Sequence, residues 1–166
     1  MRKIDKALEH WSFIYKKLPQ FLDVAEKLMQ YQEFSHDDLV KDYLTCSKND
    51  FAELCQKITY QAFNHVSQNV EEGNDSLDII AVEAEKDKWL GTKKMPKIFR
   101  YMRISENVTE VHLRSFLDDM KKKNIIRGIL VCSSDIMNSA LQFAENRPVE
   151  IYNRDQLTAI LKKIVA

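Results

Sequence analysis

A chain of 166 residues with 25 basic and 25 acidic side chains carries no formal net charge, so whole-molecule attraction to a polyanion is excluded. Its 45% hydrophobic and 30% charged content excludes disorder for most of its length and suits one domain, or one domain with a helical extension. No apolar run reaches a membrane span, and Met1-Arg2-Lys3-Ile4-Asp5 opens no signal-peptide core. An intracellular protein is therefore expected, nuclear in a eukaryote and otherwise cytoplasmic.

Asp5 to Tyr31 places apolar residues at helical spacing (Leu8, Trp11, Ile14, Tyr15, Leu18, then Phe21, Leu22, Ala25, Leu28), with a break at Pro19. Ser35 and Asp38 form a capping-box pattern that predicts a short helix to Leu44. A longer helix is predicted over 49–69, burying Phe51, Leu54, Cys55, Ile58, Ala62, Phe63 and Val66. Val70 to Ser76 then reads as a polar loop.

Leu77 to Glu83 and Ile98 to Ile104 read as strands of an antiparallel hairpin over 77–104, joined by a basic connection from Glu85 to Lys97. Beyond it the pattern becomes helix (107–123), strand (Arg127 to Cys132), helix (135–145), strand (Val149 to Tyr152) and a last helix. Ser133-Ser134 suits the N-cap of the second of these helices, and Asn153 with Gln156 the cap of the last. Short strands that are apolar on both faces and alternate with amphipathic helices over 107–165 indicate an α/β chain with parallel strands.

Chemistry is limited by what is missing. With only Gly73, Gly91 and Gly128, no phosphate-binding glycine loop can be written. His10, His36, His65 and His112 stand apart from each other and from Cys46, Cys55 and Cys132, which argues against zinc. The three cysteines lack a CxxC pair and read as reduced, buried thiols.

Charge is segregated. From Phe21 to Glu85 there are 14 acidic and 4 basic residues, whereas Lys86 to Arg103 holds 7 basic and 1 acidic. Lys93, Lys94, Lys97, Arg100 and Arg103 are the candidate contacts to phosphate or to an acidic protein. The helical face around Trp11 and Tyr15 is a second candidate docking surface. Lys121-Lys122-Lys123 closes a helix, where cations complement the macrodipole.

A metal-dependent nuclease sets an aspartate early on one hairpin strand and Glu-x-Lys or Gln-x-Lys on the next, because alternate strand residues share a face. Asp78 supplies the first, but Phe99-Arg100-Tyr101-Met102-Arg103 offers no acidic or amide ligand, and Tyr101 and Arg103 stand where the pair is expected. A displaced site would draw on Asp78, Glu83 or Glu85, with Lys86 or Arg103.

Ile126 to Ser134, Ala140, Val149-Glu150-Ile151-Tyr152 and Leu157 resemble the end of Mrr-type restriction endonuclease domains, a likeness spanning Leu77 to Ile164. Glu33 to Leu39, Met120 to Val131 and Asn138-Ser139-Ala140 also resemble the N-terminal jaw domain of the fifth shared subunit of eukaryotic nuclear RNA polymerases. Beyond the helical extension read over 1–48, both resemblances imply a restriction-endonuclease-like mixed sheet flanked by helices (49–166). The jaw-domain resemblance, with the missing catalytic pair, further implies a non-catalytic module binding nucleic acid or protein subunits in a transcription or other nucleic-acid complex, without membrane or small-molecule cofactor. The alternative the resemblances leave is a Mg²⁺-dependent, Mrr-like DNA endonuclease.

Overall fold

The computed structural model describes residues 2–18, 24–84 and 94–165 and divides into two compact units, 1–39 and 40–166. Pro19 and the segment 85–93 lie outside the described residues. The first unit holds α1 (Arg2–Lys17) and the greater part of α2 (Val24–Thr45). No separate helix starts at Ser35, because α2 runs unbroken through it. The stretch contains neither glycine nor proline, and one internal serine costs only a few tenths of a kcal/mol in helix propensity.

The second unit is built on α3 (Lys48–Gln61), β1 (His65–Glu72), β2 (Ser76–Glu83), β3 (Lys97–Met102), α4 (Glu110–Lys122), β4 (Arg127–Cys132), α5 (Asn138–Ala144), β5 (Val149–Tyr152) and α6 (Arg154–Val165). The strands lie in the order β1-β2-β3-β4-β5, antiparallel through the first three and parallel from β3 onwards. A helical part followed by a mixed sheet flanked by helices is therefore the observed architecture.

The expected helix over 49–69 is overturned: α3 stops at Gln61 and the chain enters β1 at His65. Asn64 makes the turn at φ 56°, a left-handed conformation that asparagine tolerates well, with its N–H donating to the Tyr60 carbonyl. Ala62, Phe63 and Val66 mimic helical spacing, but Val66 is exposed and β1 buries only His65. A polar edge strand gives no alternation strong enough to betray itself.

The sheet alternation divides the core in two. α3 packs on β1 and β2, and α6 on β4 and β5, over the face carrying Leu77, Ile79, Phe99, Tyr101, Ile129 and Val131. On this face the Tyr101 hydroxyl meets Thr59 Oγ1 of α3 at 2.7 Å. The opposite face packs Ile98, Met102, Leu130 and Cys132 against Leu113, Phe116 and Met120 of α4 and Ala140 and Ala144 of α5. α4 begins at Glu110 rather than near 107, capped reciprocally by Thr109 and His112, and Val111 in its first turn is exposed.

Gly128 of β4 lets α4 approach. A Cβ there would stand 2.6 Å from Met120 Sδ and 2.7 Å from the Phe116 ring. Gly128→Ala should accordingly cost about 1–3 kcal/mol through overpacking, read as a lowered urea midpoint at unchanged slope. An unshifted midpoint would place α4 farther from β4.

Ser133 is not the expected N-cap, since α5 starts only at Asn138 with Met137 before it. Its hydroxyl instead donates to the Ile104 carbonyl at 2.7 Å and accepts from the Ile104 N–H at 3.1 Å, tying together the chain leaving β3 and β4. Ser134 Oγ is buried with no partner among the described residues. The Asn153–Gln156 cap forms as expected, with reciprocal bonds of 2.9 and 3.0 Å.

Candidate functional site

Asp78 sits early on β2, directly across from Arg100 of β3, so both side chains leave the sheet on the α4 face. The guanidinium grips the carboxylate at both ends, Nε to Oδ1 at 2.7 Å and Nη2 to Oδ2 at 2.6 Å. Nη2 also donates to Asp119 Oδ2 of α4 at 2.7 Å. The Phe116 ring lies 5.0 Å beneath the cation, and Lys122 approaches the other Asp119 oxygen at 3.5 Å. The Arg100 and Asp78 side chains are 11% and 10% exposed, so the pair is largely removed from water.

This geometry fixes the charge states. Burial pulls the Arg100 pKa down, but the hydrogen bonds and negative charges of Asp78 and Asp119 outweigh it and hold the group above its ordinary value. The Arg100 hydrogen bond keeps the Asp119 carboxyl below the ordinary aspartate range against the opposing effect of burial. The result is a carboxylate–guanidinium–carboxylate triad of net charge −1.

The residues do not fit a nuclease metal ion. A divalent cation needs several oxygen ligands converging on one point. Here both oxygens of Asp78 and one of Asp119 already face a permanent cation. The β3 positions sharing this face are Ile98, Arg100 and Met102, none of them an oxygen ligand or a lysine. Among the described residues no three His, Cys, Asp or Glu side chains gather as a metal site.

Tyr101 and Arg103 are displaced from the role expected of them. They alternate with Arg100 and Met102 and therefore occupy the other face of the sheet. Arg103 Nη2 donates to the Leu44 and Cys46 carbonyls at 2.6 and 2.8 Å, closing the C-terminus of α2, with the guanidinium 4.5 Å from the Phe51 ring. It also lines a cleft of about 450 Å³ with Ser47, Lys48 and the β1–β2 turn. The residues replacing the nuclease pair opposite Asp78 are Arg100 and Met102. The signal lay in strand register: anchoring Asp78 across from Arg100 selects positions 100 and 102 instead of 101 and 103.

The remaining candidates do not converge. Glu83 is five residues along β2 from Asp78, hence on the opposite face, and is exposed. Glu85, Lys86 and Lys93 lie outside the described residues. Lys94 Nζ donates to the Glu83 and Ala84 carbonyls at 3.2 and 3.3 Å. Arg100 is inside the triad and Arg103 beneath the other face, so Lys94, Lys97, Arg100 and Arg103 do not share one surface. Lys97 instead stands beside Arg127 in the parallel β3–β4 register, lining a cleft of about 250 Å³ with Arg147 and Glu150. Arg127 and Arg147 were not apparent from the sequence because strand pairing brings Arg127 to Lys97 and the turn before β5, not sequence proximity, adds Arg147.

His65 is buried against Phe99, its Nδ1 2.6 Å from the Phe63 carbonyl oxygen. Cys46, Cys55 and Cys132 are free thiols, and burial pushes Cys132 up to about 12, which makes it inert. No helix among the described residues is long and apolar enough to cross a membrane.

A five-stranded mixed sheet with the helix α3 ahead of it and an aspartate facing the next strand defines a restriction-endonuclease-like domain. Residues 43–161 match the family model Mrr_cat, described as restriction endonuclease, and the chain belongs to that family. The fold is similar to the DNA modification-dependent restriction endonuclease AspBHI, with a TM-score of 0.52 and 11% identity over 79% of this chain and 36% of that one. It is also similar to MspJI restriction endonuclease, solved in complex with a 27-mer oligonucleotide, with a TM-score of 0.50 and 14% identity over 79% of this chain and 31% of that one. The chain thus spans about a third of the length of either enzyme. No curated protein matches the sequence. Nothing in these matches supports the resemblance to the polymerase jaw domain.

Proposed function

We propose that this chain is a nuclease-fold module that does not cleave phosphodiesters and instead binds nucleic acid or protein within a nucleic-acid complex. One observation carries the reading: Arg100 holds both oxygens of Asp78, placing a fixed cation where a cutting member of the fold needs metal ligands. Met102, two residues on, is apolar at the position that needs a lysine. Family membership favours nucleic acid as the partner class, as does the oligonucleotide held by MspJI.

The test is incubation of the full chain with single- and double-stranded DNA and RNA in Mg²⁺ and in Mn²⁺, beside a gel-shift series at low salt. The expected result is no cleavage in either metal, with retention of at least one nucleic acid that weakens as salt rises. Cutting that disappears in Asp78→Ala would overturn the proposal in favour of the Mg²⁺-dependent endonuclease.

A further inference from the structure

A groove of about 640 Å³ runs between the C-terminal half of α4 and the turn that leads into β5. Its floor is Leu117, Met120, Ile125 and Pro148, and Ile126, 60% exposed, stands on its margin. The charged residues lining it are Lys121 and Arg147, both exposed, and no acidic or aromatic side chain lines it among the described residues. Arg147 and Pro148 also border the neighbouring cleft, where Lys97 and Arg127 add two cations and Glu150 one carboxylate.

An aliphatic floor beneath a cationic rim selects its occupant. Nucleic acid would satisfy the lysine and arginines with phosphate, but single-stranded binding surfaces draw on aromatic rings that stack bases, and this groove offers none. Phosphate also gains nothing from covering isoleucine, leucine and methionine. A polypeptide that presents aliphatic side chains flanked by carboxylates satisfies both parts, burying apolar area while its charges meet the rim.

We propose that this groove docks an acidic, amphipathic segment of a partner protein. The lining contains none of Asp78, Arg100 or Asp119, so the docking does not depend on whether the domain cuts nucleic acid.

A phage-displayed library of random 16-residue peptides, selected on the full chain with Ile126→Glu as counter-selection, tests it. The expected clones carry a net negative charge and several aliphatic residues. As synthetic peptides they should bind the Ile126→Glu and Lys121→Glu/Arg147→Glu variants at least about tenfold more weakly. Replacing the peptide's glutamates by lysines should abolish binding to the native chain and recover it on the Lys121→Glu/Arg147→Glu variant. The substituted residues are exposed, and unchanged thermal unfolding of each variant separates lost docking from lost folding. Three results would each overturn the proposal: enriched peptides without acidic excess, equal binding to all variants, or displacement of the peptides by oligonucleotide. A fourth is sedimentation showing a dimer that Ile126→Glu dissolves, which would assign the groove to a second copy of the chain.

Discussion

Arg100→Met is expected to destabilise the 40–166 unit by about 3–5 kcal/mol, the usual cost of removing one partner from a buried ion pair. Most of that loss comes from the groups left behind. Methionine keeps much of the side-chain volume, but Asp78 loses its cation in a space largely removed from water, while Asp119, 30% exposed, keeps only Lys122 at 3.5 Å. Adding Asp78→Asn should then restore part of the loss, because a neutral amide is far cheaper to bury than an unpaired carboxylate. Urea midpoints of the native chain, both single variants and the double variant complete the cycle. A loss under about 1 kcal/mol with no recovery would mean the triad is open to water.

Acid should shrink the difference between native and Arg100→Met. Asp119 titrates below its unfolded value in the native chain, so its contribution is full above the unfolded pKa and is lost as pH falls through the folded one. In the variant that contribution is largely absent, because the Arg100 hydrogen bond that lowers the Asp119 carboxyl is gone. The two stabilities should therefore converge below about pH 4, and a gap unchanged down to pH 2.5 would contradict the electrostatic account.

The second large effect is a gain. Arg100→Glu would place a third carboxylate between Asp78 and Asp119, three like charges where one cation now sits. The metal-free variant should be markedly unstable, and Mn²⁺ at about a hundred times its dissociation constant should return about 2.7 kcal/mol, raising the melting temperature where the native chain shows no shift. Adding Met102→Lys supplies Glu-x-Lys on the face of Asp78, the arrangement that cutting members of the fold require. The Arg100→Glu/Met102→Lys variant is expected to acquire metal-dependent cleavage that Asp78→Ala removes. Equal metal response in the native chain would show that Arg100 does not block ion binding.

The sequence disclosed the fold best where strands are apolar on both faces. Arg127 to Cys132 and Val149 to Tyr152 form as read, since a short β-branched run between amphipathic helices admits few other arrangements. β1 escaped notice because Val66 and Val70 sit at a spacing a helix also uses, while the turn at Asn64 depends on a backbone conformation that no side-chain pattern announces. At the site, Asp78 was identifiable from its place on the hairpin, and the absence of an acidic or amide ligand on β3 was legible as well. The partner was not. Strand alternation reverses with a one-residue change of register, which is the difference between Tyr101 and Arg103 facing Asp78 and Arg100 and Met102 doing so. Asp119 was beyond reach because α4 arrives by tertiary packing, through the gap that Gly128 leaves.

The two borders of the sheet bear on how this domain survives at high concentration. β1 carries the irregularity between Ser67 and Asn69, presents mostly polar side chains and ends in Glu71 and Glu72, while β5 is only four residues long. A regular, apolar border strand is a template on which copies of a protein add to one another as fibres; a kinked, acidic one and a very short one are poor templates. Deleting Gln68 to straighten β1, or replacing Glu71 and Glu72 by valine, would remove that protection and leave the fold soluble only while dilute.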